Sequence, residues 1–187
     1  VDYKTYKTWL EDGVKKQVSV TRYDKQIKDW STTDYTTFVQ ENLRPRVSST
    51  YYIDGKFKGA FEDVLNGVNL PVTTSDEKAI IDFASFYSYD QHGNVKTLIS
   101  ENAHLSHLNE AFKRIDYEYD LISGNVNKVT YQKGDVDQLF HKYEYDEDNR
   151  ITQMMTSTNG IVWDTDARYK YYRHSVLART ELGEEKV

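Results

Sequence analysis

The chain has 187 residues, 38% of them hydrophobic and 14% aromatic, and its 24 basic against 30 acidic residues leave a net charge of −6. That length holds one domain, or two small ones, with a real core. The acidic balance argues against a nucleic-acid partner, which needs a basic face, and no apolar run approaches the roughly 18–20 residues of a membrane span.

There is no cysteine, which excludes disulfides and zinc-thiolate sites. Sixteen tyrosines beside modest aliphatic content suit thin β-sheet with tyrosine-covered faces better than a thick helical core. The chain opens on Val1 with no signal peptide, which reads as a piece of something longer.

In chain order, residues 3–23 read as a hairpin turning at Glu11-Asp12-Gly13, with Val18 and Val20 in period two on the return. Ser31-Thr32-Thr33-Asp34 offers a capping box, and Tyr35, Phe38, Val39 and Leu43 follow at helical spacing. These predict a helix over 33–43, stopped by Pro45. Val47 to Tyr52, Asp54-Gly55 and Phe57 to Phe61 predict a second hairpin. Residues 62–78, with Asn66-Gly67 and Pro71, read as a loop, and strand resumes near Ala79. Leu105, Leu108 and Phe112 suggest a short helical turn. Strands are then expected at 111–119, 125–132, 138–145, 150–156, 160–163 and 167–172, with Lys133-Gly134-Asp135 and Asn159-Gly160 as turns.

The second half of the chain repeats itself. Tyr87-Ser88-Tyr89-Asp90-Gln91-His92-Gly93-Asn94-Val95 returns as Tyr117-Glu118-Tyr119-Asp120-Leu121-Ile122-Ser123-Gly124-Asn125-Val126. It returns again as Tyr143-Glu144-Tyr145-Asp146-Glu147-Asp148-Asn149-Arg150-Ile151, with a blurred fourth copy at Tyr169 to Val176. The second tyrosines fall at 89, 119, 145 and 171, in steps of 30, 26 and 26, the mark of a repeat architecture. Tyrosines at i and i+2 share one face of a strand. Asp90, Asp120 and Asp146 sit where a carboxylate accepts backbone N–H groups and starts a turn. Gly93 and Gly124 supply positive φ, and Asn94, Asn125 and Asn149 tolerate it next best. One copy is therefore one β-hairpin.

This string resembles the YD repeat of the Rhs family of bacterial proteins, over about 81–187, and the segment from Tyr171 to Gly183 resembles a degenerate repeat of Rhs-type proteins from Bacteroides-like bacteria. Residues 1–76 carry weaker echoes only, such as Arg22-Tyr23-Asp24. The resemblance implies a secreted or cell-surface bacterial protein whose hairpins wind into a hollow shell around a cargo such as a C-terminal toxin domain. Its partners would be the neighbouring repeats of the parent chain and that enclosed domain. Family members often carry a self-cleaving aspartate motif with an Asp-Pro pair, but here Pro45 and Pro71 are the only prolines and neither follows an aspartate.

Chemical motifs are weak beside this pattern. His104 and His107, spaced i, i+3 near Glu101 and Glu110, have no further metal ligands arranged by spacing and read as polar residues of a connection. Asp146-Glu147-Asp148-Asn149 lacks the EF-hand glycine and glutamate, and turn formation explains it. No nucleophile elbow, phosphate loop or zinc-protease helix is present. Any glycosidase pair among thirty acidic residues is undefined by sequence. The tyrosine rows read as the packed cover of a sheet, with a surface module binding glycan or protein as the alternative.

The expectation is thus a mainly β chain of consecutive antiparallel hairpins in a twisted, curved sheet with one short helix near 33–43. Residues 1–76 are read as N-terminal hairpins with the helix, and 77–187 as YD-repeat hairpins of the same continuous unit. No catalysis, metal or cofactor is expected. Strands at 3–10 and 167–177 should have open edges. The tail, with Val176, Leu177 and Leu182 partly exposed, either folds back or leaves the edge to self-associate, and its few apolar residues favour self-association.

Overall fold

The computed structural model describes residues 12–26, 38–56 and 81–183. The protein is mainly β. Its strands are β1 (Val18–Tyr23), β2 (Val47–Ile53), β3 (Phe83–Tyr89), β4 (Val95–Asn102), β5 (Phe112–Tyr119), β6 (Val126–Tyr131), β7 (Leu139–Tyr145), β8 (Ile151–Ser157), β9 (Asp164–Tyr171) and β10 (Leu177–Leu182). Among the described residues they form one ten-stranded sheet whose spatial order is the order of the sequence, with β1 and β10 as the terminal strands described and no closure into a barrel. Consecutive antiparallel hairpins, as the repeat predicts, are what the chain forms.

Two compact units are distinguished among the described residues: one reaches Ser88 and takes in Ile99–Phe112, and the other holds Tyr89–Leu98 and everything from Lys113. In the first, Phe38, Tyr51, Ala84, Phe86 and Ile99 are buried together, with Val20, Ile81 and Phe112 packed against them. The period-two alternation of β2 and β3 puts Tyr51 and Phe86 on one face, where their rings meet edge-on at 5.8 Å. A 3-10 helix, Ala103–Leu108, stands where the short helical turn was expected; the Asn102 side chain caps it by accepting from the His104 N–H.

The predicted helix over 33–43 is corrected where it can be seen. Residues 33–37 lie outside the described ones, and 38–43 carry no helix. Tertiary bonds replace the i→i−4 ladder: Gln40 donates its amide to the Ser48 and Tyr87 carbonyls, the Glu41 N–H donates to Ser88 Oγ, and Ser88 Oγ donates to the Val39 carbonyl. Asn42 at φ 53° breaks helical geometry outright, and Phe38 drops into the core. The first arm of the 3–23 hairpin, the arm Phe57 to Phe61, the 62–78 loop and the start of strand at Ala79 also lie outside the described residues. Within them, β1 pairs with β2, and β2 pairs with β3.

The second unit runs hairpin after hairpin with a thinner core, in which Phe140, Met155 and Ala167 are buried beside Thr130, Ser157 and Thr165. Of the separate strands expected at 160–163 and 167–172, the first is absent and the second is β9, which begins at Asp164. Residues 158–163 are its approach loop, where Ser157 Oγ and Asn159 Oδ1 accept the backbone N–H groups of 159–162. At the tail the chain takes the fold-back alternative. It folds back as β10 on β9, with Thr180 opposite Tyr169 and Lys170 bonded to Glu181 at 2.8 Å. Its backbone ladder supplies what its few apolar side chains do not.

Gly124 sits at φ +74°, and a Cβ built there meets nothing within 4 Å. Replacing it therefore tests backbone strain alone. Gly124→Val should destabilise by about 1 kcal/mol or more in urea melts, and Gly124→Asn by clearly less.

Candidate functional site: the tyrosine and aspartate ladder

The turns come first. Asp90 Oδ1 accepts the N–H groups of Gly93 at 2.7 Å and Asn94 at 2.9 Å, while Oδ2 accepts the Asn94 side chain. Asp120 Oδ1 accepts the N–H groups of Ile122 and Ser123 and the Ser123 hydroxyl. Asp146 Oδ1 accepts the N–H groups of Asp148 and Arg150, and its Oδ2 takes the Arg150 guanidinium at 2.7 Å. The backbone frame is shared: Asp90, Asp120 and Asp146 donate their N–H groups to Asn94, Asn125 and Arg150 carbonyls. Gly93, Gly124 and Asn149, all at positive φ, donate back to the aspartate carbonyls. The one-residue insertion in the second copy is absorbed inside the turn.

The blurred fourth copy has the same frame. Tyr172 donates to Val176 O, and Ser175, at φ 70°, donates to Tyr172 O. A fifth copy emerges near the N-terminus, where Asp24 donates to Arg46 O and Tyr23 lies opposite Val47 beside a bulge. The same bulge flanks Tyr119 opposite Val126, Tyr145 opposite Ile151 and Tyr171 opposite Leu177. Arg22-Tyr23-Asp24 thus belongs to a hairpin of the series whose two strands are joined in sequence through residues 25–45. That insertion hid it from any fixed period.

The carboxylates carry an electrostatic signature. Bonds from the Ser123 backbone and hydroxyl and the Ile122 backbone hold Asp120 below its ordinary value. The Arg150 side chain, then its backbone, does the same for Asp146. For Asp90, desolvation raises the value, but bonds from Asn94, Gly93 and His92 outweigh it and the net shift is downward.

The second tyrosine of a repeat acts on its neighbour. Tyr119 donates its hydroxyl to Val95 O at 3.0 Å, Tyr145 to Val126 O at 2.8 Å, and Tyr171 to Ile151 O at 2.8 Å. Each acceptor opens the return strand of the preceding hairpin. Burial, then the adjacent Tyr117 or Tyr143, pushes the Tyr119 and Tyr145 hydroxyls up and keeps them protonated as donors. Turns are also tied to turns: Asn125 donates to Asn149 Oδ1, and Arg150 reaches Ser175 Oγ while lying 4.9 Å over the Tyr171 ring. The first tyrosines make different contacts. Tyr117 stacks on Tyr119, Tyr143 is half-buried opposite Met154, and the Tyr87 carbonyl receives Gln40. Tyr89 is buried at the end of β3.

The histidines are engaged in the connection. His104 Nε2 lies 2.8 Å from Oδ1 of the buried Asp82, whose Oδ2 accepts the Asp54 N–H, and His107 Nδ1 lies 2.9 Å from His104 O. Among the described residues, no three His, Cys, Asp or Glu side chains gather where a metal would bind. No described helix is long and apolar enough to cross a membrane.

No family model matches this chain, and no curated protein does. A solved structure of the Photorhabdus luminescens Tc holotoxin pore aligns with 75% of this chain at 14% identity and a TM-score of 0.31. The chain covers 7% of that structure's chain. A superposition that loose carries no weight for fold or function.

Two outcomes test the ladder. Tyr145→Phe should lower unfolding stability by about 1 kcal/mol, whereas Tyr143→Phe should change it by less than about 0.5 kcal/mol. The aspartates act through pH. Their folded values lie below the ordinary 3.8, so their stabilisation is complete above that value and is lost as pH falls through the lowered ones. Urea melts at about pH 6 and about pH 3 should show this loss, and Asp120→Asn should narrow the difference.

Proposed function

We propose that this chain is a stretch of wall in a YD-repeat β-shell, a structural element that encloses or displays a cargo domain and performs no catalysis itself. The observation that carries the reading is the series of hydroxyl-to-carbonyl bonds, each joining one hairpin to the one before it. Such bonds propagate a sheet repeat by repeat, and stability in such arrays comes from neighbour contacts. The residues that would carry the function are the repeat positions themselves: the tyrosines hold hairpin to hairpin and the aspartates close the turns.

The shell and its cargo are drawn from the resemblance of the motif to Rhs proteins. On that reading the protein is bacterial and secreted or surface-displayed, its partners are further repeats and an enclosed C-terminal domain, and residues 1–76 and 77–187 belong to one structural unit. A surface module that binds glycan through aromatic rows is the second reading. The stacked, exposed Tyr172 and His174 at one hairpin tip favour it, with rings 5.5 Å apart and 9° from parallel.

The test uses the complete open reading frame. Further Tyr-x-Tyr-Asp hairpins should flank this stretch, and limited proteolysis of the full-length protein should leave a downstream domain uncut until the repeats are cleaved. A downstream domain cut as fast as the same domain expressed alone would overturn the enclosure. Against panels of glycoside, ester, phosphate and peptide substrates the purified chain should show no turnover. Reproducible turnover abolished by a single carboxylate substitution would overturn the structural reading.

A further inference from the structure

Two buried polar atoms of the second unit lie outside the tyrosine and aspartate ladder. His141 Nδ1 in β7 and Asp166 Oδ2 in β9 are sealed from solvent, and neither has a hydrogen-bond partner among the described residues. Unpaired buried groups of this kind are costly, and an ion or a chemical role usually explains them. Their placement is not scattered. His141 stands directly opposite Thr156 of β8, and Thr156 Oγ1 donates to the other oxygen of the same carboxylate, Asp166 Oδ1, at 3.1 Å. Asp166 is the extra residue of a bulge: Thr165 lies opposite Met155, Ala167 lies opposite Met154, and Asp166 between them has no direct partner on β8. Bulges re-aim side chains in this way beside functional sites. Imidazole, hydroxyl and carboxylate thus form one row across three neighbouring interior strands.

We propose that this row holds a divalent transition-metal ion, with His141 Nδ1 and Asp166 Oδ2 as ligands and the Thr156 hydroxyl orienting the carboxylate. The donor types suit Zn²⁺ and its neighbours, because imidazole nitrogen binds these metals and the carboxylate supplies compensating charge. Size agrees. Both atoms are closed to water, so the occupant is smaller than a water molecule, as a bare metal ion is. Span agrees as well. Adjacent strands lie about 4.8 Å apart, and two short side chains on either side of β8 need only two metal bonds of about 2 Å to join β7 to β9. Two protein ligands beside a hydroxyl make a weak site rather than a closed structural zinc cage. The ion joins successive hairpins near the start of β7 and β9, at the opposite end of those strands from the tyrosine hydroxyl bonds. The proposal stands on these three residues, whether or not the chain walls a cargo.

The probe is Zn²⁺ added to protein stripped with a chelator and desalted, with uptake read by equilibrium dialysis and by the midpoint of thermal unfolding. About one ion per chain should bind and raise the midpoint. His141→Ala and Asp166→Asn should each abolish both effects, and Thr156→Val should weaken uptake about tenfold. The metal-free variants at 141 and 166 should keep the circular dichroism of the unaltered chain, since neither atom has a bond to lose. A reading without variants uses Co²⁺. The ring-proton resonances of His141 should shift strongly, and those of the exposed His104 and His107 should not. Uptake that persists in both His141→Ala and Asp166→Asn would place the metal on surface histidines and overturn the site. So would no uptake by the unaltered chain at about 1 mM Zn²⁺, or Co²⁺ shifts confined to other histidines.

Discussion

Everything in the second unit depends on how one hairpin holds the next. Backbone ladders alone would leave adjacent hairpins free to slip, since a two-residue shift preserves which face each side chain takes. The tyrosine hydroxyl removes that freedom. It reaches across to the carbonyl that opens the neighbouring return strand, at 2.8–3.0 Å in all three instances. A single bond of this kind contributes about 1 kcal/mol. A two-residue slip would break the bond and move the bulge beside the tyrosine out of place, so the bond specifies register more than it adds stability.

The turns serve the same end by a different chemistry. An aspartate that accepts two or three N–H groups predefines the reversal, and its position directly after the tyrosine locks the bulge to the turn. Where the aspartate is missing, at Tyr172, the backbone frame persists and Ser175 still takes positive φ. The carboxylate therefore reinforces a geometry that the strand ends and the positive-φ residue already define. Arg150 shows how a departure is compensated. Its guanidinium occupies Asp146 Oδ2, covers the Tyr171 ring and bonds to Ser175 of the next turn.

The first unit is held differently. Its buried rings and its buried serines form a denser interior, which Phe38 and Gln40 of the connection between β1 and β2 join. Phe38 enters the core, and Gln40 satisfies two strand carbonyls that lie far apart in sequence. Phe38 and Gln40 have thus joined the core packing while the β1–β2 hairpin keeps the repeat's bulge and its tyrosine.

The sequence by itself determined the hairpins of the second half, their turns and the positive φ at Gly93 and Gly124, because those features depend on residues within ten positions of one another. Period-two alternation, an aspartate, a glycine and an apolar residue are local signals, and local physics reads them. Tertiary structure alone decided the rest. The spacing of Phe38, Val39 and Leu43 is helical, yet bonds to Ser48, Tyr87 and Ser88, as many as 49 residues away, outweigh a propensity of a few tenths of a kcal/mol per residue. The tail has few apolar residues, yet β9 offers it a backbone ladder. The partner of each tyrosine hydroxyl is a backbone carbonyl 19 to 24 positions away, and a carbonyl has no residue type for a sequence pattern to reveal.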